Sequence, residues 1–167
     1  MRLDLRNIIH SPGASVPFQF ELDLSDVELY DEKPIPNPVQ VKGTVRNTAG
    51  ALTLEGTATA LLHLRCDRCL KPLQREQIIP LDTLLAEELE DEENDEIILL
   101  ENGCVDLDEL VYTAVILAMD TKNLCSEDCK GLCDRCGADL NDGPCGCKPQ
   151  VDPRLAALAQ LLDNEPE

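Results

Sequence analysis

The sequence predicts an α+β protein with an antiparallel β meander or barrel-like sheet, a cysteine-rich C-terminal segment and two helices. Three observations support this fold class. Apolar residues alternate with polar ones over long runs between residues 38 and 86, the pattern of half-buried strands. Six of the nine cysteines lie between Cys125 and Cys147. Hydrophobic residues make up 43% of the 167-residue chain, which contains two Phe, two Tyr and no Trp, so the core must be aliphatic.

The N-terminal residues up to position 35 carry a weaker signal. Leu3, Leu5, Ile8 and Ile9 fit a short helix or a strand equally well. The alternation from Val16 to Leu24 predicts a strand. Residues 33–38 contain three prolines, which remove backbone donors and therefore predict a loop.

Residues 38–86 carry the clearest strand signal. Apolar residues alternate up to Val45, a turn-like break follows over residues 46–50, and a long half-buried strand leads into Cys66. Alternation resumes between Leu73 and Leu85. We therefore expect an antiparallel meander with Cys66 and Cys69 at the tip of a hairpin.

Two helices and an acidic loop complete the predicted elements. Residues 87–96 contain eight acids and no base, which predicts a solvated loop. A helix is predicted over residues 105–119, with Asp106 as its N-cap and Glu109 placed as in a capping box. A second helix is expected to begin at Asp152-Pro153, an N-cap followed by proline. We expect residues 1–120 to form the β domain and residues 121–167 the cysteine-rich module with the C-terminal helix.

The net charge of −19, from 14 basic and 33 acidic residues, restricts the classes of partner. Phosphate repels such a chain, so direct RNA binding is expected to be weak or absent. The scarcity of aromatic residues also disfavours base stacking. No apolar run approaches the roughly 20 residues of a membrane span, and the first ten residues lack the apolar core of a secretory signal. We therefore expect a cytoplasmic protein.

The cysteines are spaced as metal ligands. An odd number of cysteines in a reducing compartment argues against a disulfide framework. Cys133/Cys136 and Cys145/Cys147 form two close pairs flanked by glycines, and such thiolate pairs are preferred zinc ligands. These four residues are the best predicted zinc tetrad. A second tetrad could form from Cys66, Cys69, Cys125 and Cys129. Alternatively, Cys66 and Cys69 are a pair of free thiols. Cys104 lies outside every pair.

Three other roles for the cysteines compete with a structural zinc site. The Cys129-x3-Cys133-x2-Cys136 spacing matches a radical iron–sulfur site, but that chemistry usually occupies a much larger barrel. A thioredoxin-type Cys-x2-Cys opens a helix after a strand, whereas Cys66/Cys69 are expected between two strands. A zinc site that loses its metal on oxidation is also consistent with the sequence.

Catalytic motifs are nearly absent. The two histidines, His10 and His63, belong to no triad or metal pattern, and the chain has no phosphate-binding glycine loop. A zinc held by four thiolates is a closed, structural site. We therefore expect a protein that is not an enzyme and has no small-molecule substrate.

The cysteine motifs also carry a family resemblance. Three segments resemble the cysteine-rich branch of the YceD family: Cys66-Asp67-Arg68-Cys69 after a long meander, the run from Leu124 to Asn141, and the ending Asp152–Leu158. The resemblance covers roughly residues 38–162. It implies a role in the accumulation of large-subunit ribosomal RNA in bacteria.

Charge and resemblance together suggest the class of partner. An acidic, aromatic-poor chain is better suited to holding a basic ribosomal protein or an assembly factor than to gripping RNA. The alternative is that the acidity serves only solubility. The first functional hypothesis is a non-enzymatic factor for ribosomal RNA accumulation or large-subunit assembly. The second is a redox-regulated zinc protein with holdase-like activity.

Overall fold

The computed structural model describes residues 1–29, 31–88 and 97–147. Its main element is a five-stranded sheet in which neighbouring strands follow the order of the chain. The strands are β2 (Ser15–Leu22), β3 (Val39–Thr48), β4 (Ala51–Arg65), β5 (Pro72–Ala86) and β6 (Ile97–Leu99). Strands β2 to β5 pair antiparallel, which confirms the predicted meander.

Three details of the sheet differ from the prediction. The described strands do not close into a barrel, because β2 and β6 form the two edges of an open sheet. The sheet is mixed rather than purely antiparallel, since β6 runs parallel to β5. Strand β3 continues to Thr48 instead of breaking at Arg46, because only Ala49 and Gly50 are needed for the reversal. Both turn residues adopt positive φ, as a tight hairpin requires.

One face of the sheet carries an aliphatic core, as predicted. Buried residues alternate along β4, and α2 (Leu107–Leu117) covers part of the same face. Phe18 is the aromatic side chain in the described core. Its ring lies over Gly43, where an added Cβ would come within 2.5 Å of the Phe18 ring and 2.8 Å of the Cα of Gly56. Gly43 and Gly56 face each other across β3 and β4, so this close approach requires glycine on both strands.

The N-terminal segment pairs with the strand that directly precedes α2. Strand β1 (Arg2–Asp4) pairs with β7 (Cys104–Asp106), and the short helix α1 (Arg6–Ile9) follows β1. The ambiguous N-terminal pattern is therefore both strand and helix. The predicted helix over 105–119 is shorter, since α2 spans Leu107–Leu117. Asp106 caps it, as predicted, but accepts from the backbone N–H of Asp108, so the capping box with Glu109 is not formed.

Two predicted elements fall largely or wholly outside the described residues. The acidic loop 87–96 is described only at Glu87 and Glu88, both exposed. The helix expected from Asp152-Pro153 lies outside the described part of the chain. Among the described residues, no helix has the length and apolar character needed to cross a membrane.

Candidate metal centre

The first cysteine pair lies in the turn between β4 and β5, the predicted hairpin tip. The backbone N–H of Cys66 donates to the carbonyl of Lys71 at 2.9 Å, and the N–H of Leu70 donates to the carbonyl of Cys66 at 2.8 Å. These two bonds turn the chain tightly around the Cys66 and Cys69 side chains. Both are buried.

Cys125 and Cys129 approach this tip from a distant part of the sequence. The Sγ atoms of Cys66 and Cys129 lie 3.7 Å apart, and those of Cys69 and Cys125 lie 3.5 Å apart. All four Sγ atoms lie within 4.8 Å of one another. Zinc–sulfur bonds of about 2.3 Å in a regular tetrahedron place the sulfurs about 3.8 Å apart. We call these four residues the first tetrad, and its geometry fits a tetrahedral metal.

Cys133, Cys136, Cys145 and Cys147 form the second tetrad, whose Sγ atoms also lie within 4.8 Å of one another. Its Cys-x2-Cys turn repeats the hydrogen bonds of the hairpin tip. Cys133 N–H donates to the Ala138 carbonyl at 2.8 Å, and Gly137 N–H donates to the Cys133 carbonyl at 2.9 Å. The β4–β5 hairpin tip and the cysteine-rich segment thus form the same local turn around a pair of thiols.

The two turns differ at the residue after the second cysteine. Leu70 and Gly137 both adopt positive φ, 59° and 70° respectively. The left-handed region costs a residue with a Cβ roughly 1–2 kcal/mol. The hairpin tip therefore holds a strained, exposed leucine where the second turn has glycine.

This difference gives a test of the tip conformation. Leu70→Gly should raise the free energy of unfolding by about 0.5 kcal/mol, because relief of strain exceeds the entropic cost of glycine. Chemical denaturation measures the change. Gly137→Ala is the matched reverse substitution and should destabilise its own turn. A loss of stability in Leu70→Gly would show that the tip is not strained.

Backbone amides favour the thiolate form of the first cysteine in each turn. Burial raises the pKa of Cys66, but hydrogen bonds from the N–H groups of Cys69, Cys125 and Arg68 outweigh it and lower the pKa to about 6. The N–H groups of Cys136 and Arg135 likewise lower the pKa of Cys133 to about 7. Thiolate is the form that binds metal, so both turns are preorganised to supply it.

Direct hydrogen bonds attach the hairpin tip to the cysteine-rich segment. Asp67 and Asn123 form two, from Asp67 N–H to the Asn123 carbonyl at 2.8 Å and from Asn123 N–H to the Asp67 carboxylate at 2.6 Å. The Arg68 guanidinium donates to the Cys129 carbonyl at 2.6 Å. The Leu132 N–H donates to the Arg68 carbonyl at 3.1 Å. These bonds hold the two halves of the first tetrad in register.

Asn141 links the two tetrads, a role that the sequence analysis missed. It lies between Cys136 and Cys145 in the chain, yet its side-chain amide donates to the Sγ of Cys129 at 3.5 Å. Its side-chain oxygen accepts from the Lys130 N–H at 2.8 Å. The loop of the second tetrad therefore contributes a hydrogen bond to a sulfur of the first. No spacing rule signals such a contact, because asparagine is common in turns.

Removing this amide should weaken the hold of the first tetrad on any metal that it binds. In protein loaded with zinc, we expect Asn141→Ala to speed the loss of one metal ion to a chelator about tenfold, since such outer contacts stabilise a bound metal. The second ion should leave at the rate seen in the unaltered protein. Chelator competition followed by absorbance measures both phases, with Asn7→Ala as an exposed control. Unchanged kinetics would show that the Asn141 contact does not support the site.

The structure brings all eight cysteines together in two groups. One is the tetrad predicted as the best zinc site, and the other is the second tetrad that the spacing left open against a pair of free thiols. Cys104 lies outside both tetrads, as expected. The iron–sulfur alternative needs Cys129 beside Cys133 and Cys136, but Cys129 belongs to the other tetrad. The thioredoxin alternative is also wrong, because Cys66 and Cys69 lie between antiparallel strands.

Comparison with known proteins gives one family match. The model of the family described as "Large ribosomal RNA subunit accumulation protein YceD" matches residues 54–162. The matched region begins in β4 and includes the hairpin tip and both tetrads. No solved structure matches the chain significantly.

Individual relatives occur in bacteria and plants. An uncharacterized protein of Mycobacterium tuberculosis is 32% identical over 125 residues, covering 72% of this chain and 60% of the relative. YlbN of Bacillus subtilis is 26% identical and covers 100% of this chain and 99% of its own length. The chloroplastic YCED homolog 1 of Arabidopsis thaliana, named as a large ribosomal RNA subunit accumulation protein, is 26% identical over 80% of this chain. This chain spans 60% of the mycobacterial relative and 52% of the plant one.

Proposed function

This chain belongs to the YceD family, and on that premise we propose that it is a non-enzymatic factor for ribosomal RNA accumulation or large-subunit assembly in the cytoplasm. Residues 1–120 form its β domain, and residues 121–167 form a cysteine-rich module that two zinc ions stabilise. The observation that carries the functional part is the family match over residues 54–162. The relatives named for ribosomal RNA accumulation support the same role.

The two tetrads support a structural role for the zinc. Cys66, Cys69, Cys125 and Cys129 would hold one ion, and Cys133, Cys136, Cys145 and Cys147 the other. Four thiolates complete the tetrahedral coordination of zinc, so such a site leaves no position for water or substrate. A bound ion would also join the hairpin tip to a segment about 60 residues away, since Cys66 and Cys129 are 63 residues apart. The proposed metal therefore organises a surface and performs no reaction.

The charge supports a basic protein as the partner. A net charge of −19 attracts a basic ribosomal protein or assembly factor at long range, and salt screens that attraction. The same charge repels naked RNA. Purified protein should therefore bind a basic large-subunit protein more tightly than naked ribosomal RNA, with affinity falling as salt rises. Tight, salt-sensitive binding to the naked RNA would contradict this partner.

A deletion strain tests the function. Loss of this protein should reduce mature large subunits and large-subunit ribosomal RNA relative to small-subunit RNA, and the unaltered gene should restore both. The purified protein should not cleave ribosomal RNA. Normal ribosome profiles in the deletion strain under several growth conditions would remove the assignment.

A second candidate function is a redox-regulated zinc protein with holdase-like activity. Each tetrad contains one exposed cysteine, Cys125 in the first and Cys136 in the second, and exposed thiolates are the first to oxidise. Mild peroxide would then release zinc and expose apolar surface that binds unfolded proteins. Unchanged metal content under peroxide would favour the assembly factor.

A further inference from the structure

A groove separates α2 from the β6 edge of the five-stranded sheet, away from the cysteine tetrads. Its volume is about 490 Å³, within the range of about 300–1,000 Å³ that binding pockets occupy. It is lined by residues of β5, β6, β7 and α2, and by Glu101 between β6 and β7. The apolar residues include Leu81, Ile98, Leu99, Leu110, Ala114 and Leu117.

The groove is open because β6 is short. Strand β6 pairs only with residues 84–86 of β5. Among the described residues, no strand pairs with the preceding residues 80–83 on that edge. The apolar side chains at the rim are consequently uncovered, with Leu117 80% exposed and Leu99 49% exposed. These two leucines therefore offer apolar surface that a bound segment could bury.

The charges of the groove have one sign. Asp82, Glu101, Asp106 and Glu109 are among its lining residues, which include no Lys, Arg or His. Arg2 forms ion pairs with Glu101 at 2.6 Å and with Asp106 at 3.7 Å. Within the described part of the chain, Asp82 and Glu109 have no ion-pair partner.

We propose that this groove binds a cationic segment of a partner protein, with apolar side chains against Leu99 and Leu117 and Lys or Arg side chains facing Asp82 and Glu109. The proposal rests on the proposed function only for the ribosomal origin of the partner. Apolar walls with an acidic rim suit a basic amphipathic segment, whereas the phosphates of RNA would meet the acids directly. A second copy of this chain carries the same charge of −19 and would be repelled.

Fluorescence anisotropy with a defined peptide tests the groove in the full-length, metal-loaded protein. The probe is a fluorescent synthetic peptide of leucine and lysine patterned as an amphipathic helix. The double substitution Asp82→Asn with Glu109→Gln should weaken its binding about threefold to tenfold at low salt, because each exposed ion pair contributes little alone. Leu117→Ser should weaken binding about tenfold through lost apolar burial. A peptide with glutamate in place of lysine should not bind.

Matched variants separate the groove from the general acidity of the chain. Glu21→Gln with Glu76→Gln removes two exposed charges outside the groove lining, and Ile78→Thr removes an exposed apolar side chain outside it. Both should leave the affinity within about twofold. Equal weakening by these controls would overturn the proposal. Self-association that Leu117→Ser abolishes would assign the groove to a second copy and would also overturn it.

The same variants distinguish this inference from the proposed function. Large-subunit proteins that bind equally well to the groove variants and to the unaltered chain would refute the groove while leaving the ribosomal role intact. Peptide binding that depends on Asp82, Glu109 and Leu117, together with normal ribosomes in a deletion strain, would support the groove and refute the ribosomal origin of its partner.

Discussion

On the proposed occupancy of both tetrads by zinc, Cys129→Ser should reduce the zinc content from two ions to one per chain and detach the hairpin tip from the cysteine-rich segment. Cys129 is buried, contributes its sulfur to the first tetrad and accepts the Asn141 hydrogen bond. Structural zinc in small domains contributes roughly 10–16 kcal/mol of apparent binding free energy at neutral pH. Serine is a poor zinc ligand, so most of that free energy is lost at this site.

Amide hydrogen exchange should show which parts of the chain lose stability in Cys129→Ser. The N–H groups of Asp67 and Leu132, which bond across the junction to Asn123 and Arg68, should lose protection. The amides of the β4–β5 ladder should keep theirs, because the aliphatic core holds those strands. Elemental analysis gives the zinc content, and Cys104→Ser is the control because Cys104 belongs to neither tetrad. Retention of two zinc ions in Cys129→Ser would refute the first site.

Asn47→Leu should lower the free energy of unfolding by about 3 kcal/mol. Asn47 is the buried polar residue of the described core. Its side-chain amide donates to the carbonyls of Ile8 and Ile9, each at 2.7 Å, and its side-chain oxygen accepts from the Gly50 N–H at 2.8 Å. Leucine has the same number and branching of side-chain heavy atoms but satisfies none of these groups, so the change removes the bonds that attach α1 to the β3–β4 turn.

Thermal denaturation should show a decrease of roughly 6–12 °C in Tm for Asn47→Leu, given about 2–4 °C per kcal/mol in a chain of this size. Asn7→Leu, at an exposed position of α1, should change the free energy of unfolding by less than about 0.5 kcal/mol. A loss for Asn47→Leu no larger than for this control would show that α1 is held by apolar packing alone.

The meander and the close cysteine pairs could be predicted because their signals are local. Alternation along residues 52–64 directly records which side chains of β4 face the core. The Cys66/Cys69 and Cys133/Cys136 spacings place two thiols in one turn, and that turn forms from hydrogen bonds within six residues. Family resemblance added the ribosomal role, which neither periodicity nor spacing contains.

Only the tertiary structure decided which distant segments meet. The pairing of β1 with β7, the parallel addition of β6 and the junction of the hairpin tip with Cys125 and Cys129 join parts of the chain that no local pattern connects. The contact of Asn141 with Cys129 and the place of Leu117 at the groove could not be predicted for the same reason. An exposed leucine or a turn asparagine has the same sequence pattern whether or not it lies at such a site. The sequence by itself determined the strands β2 to β5, the thiol pairs and the acidic charge, because short-range sterics, periodicity and composition fix them. The distance between two sulfurs 63 residues apart depends on how the whole chain packs.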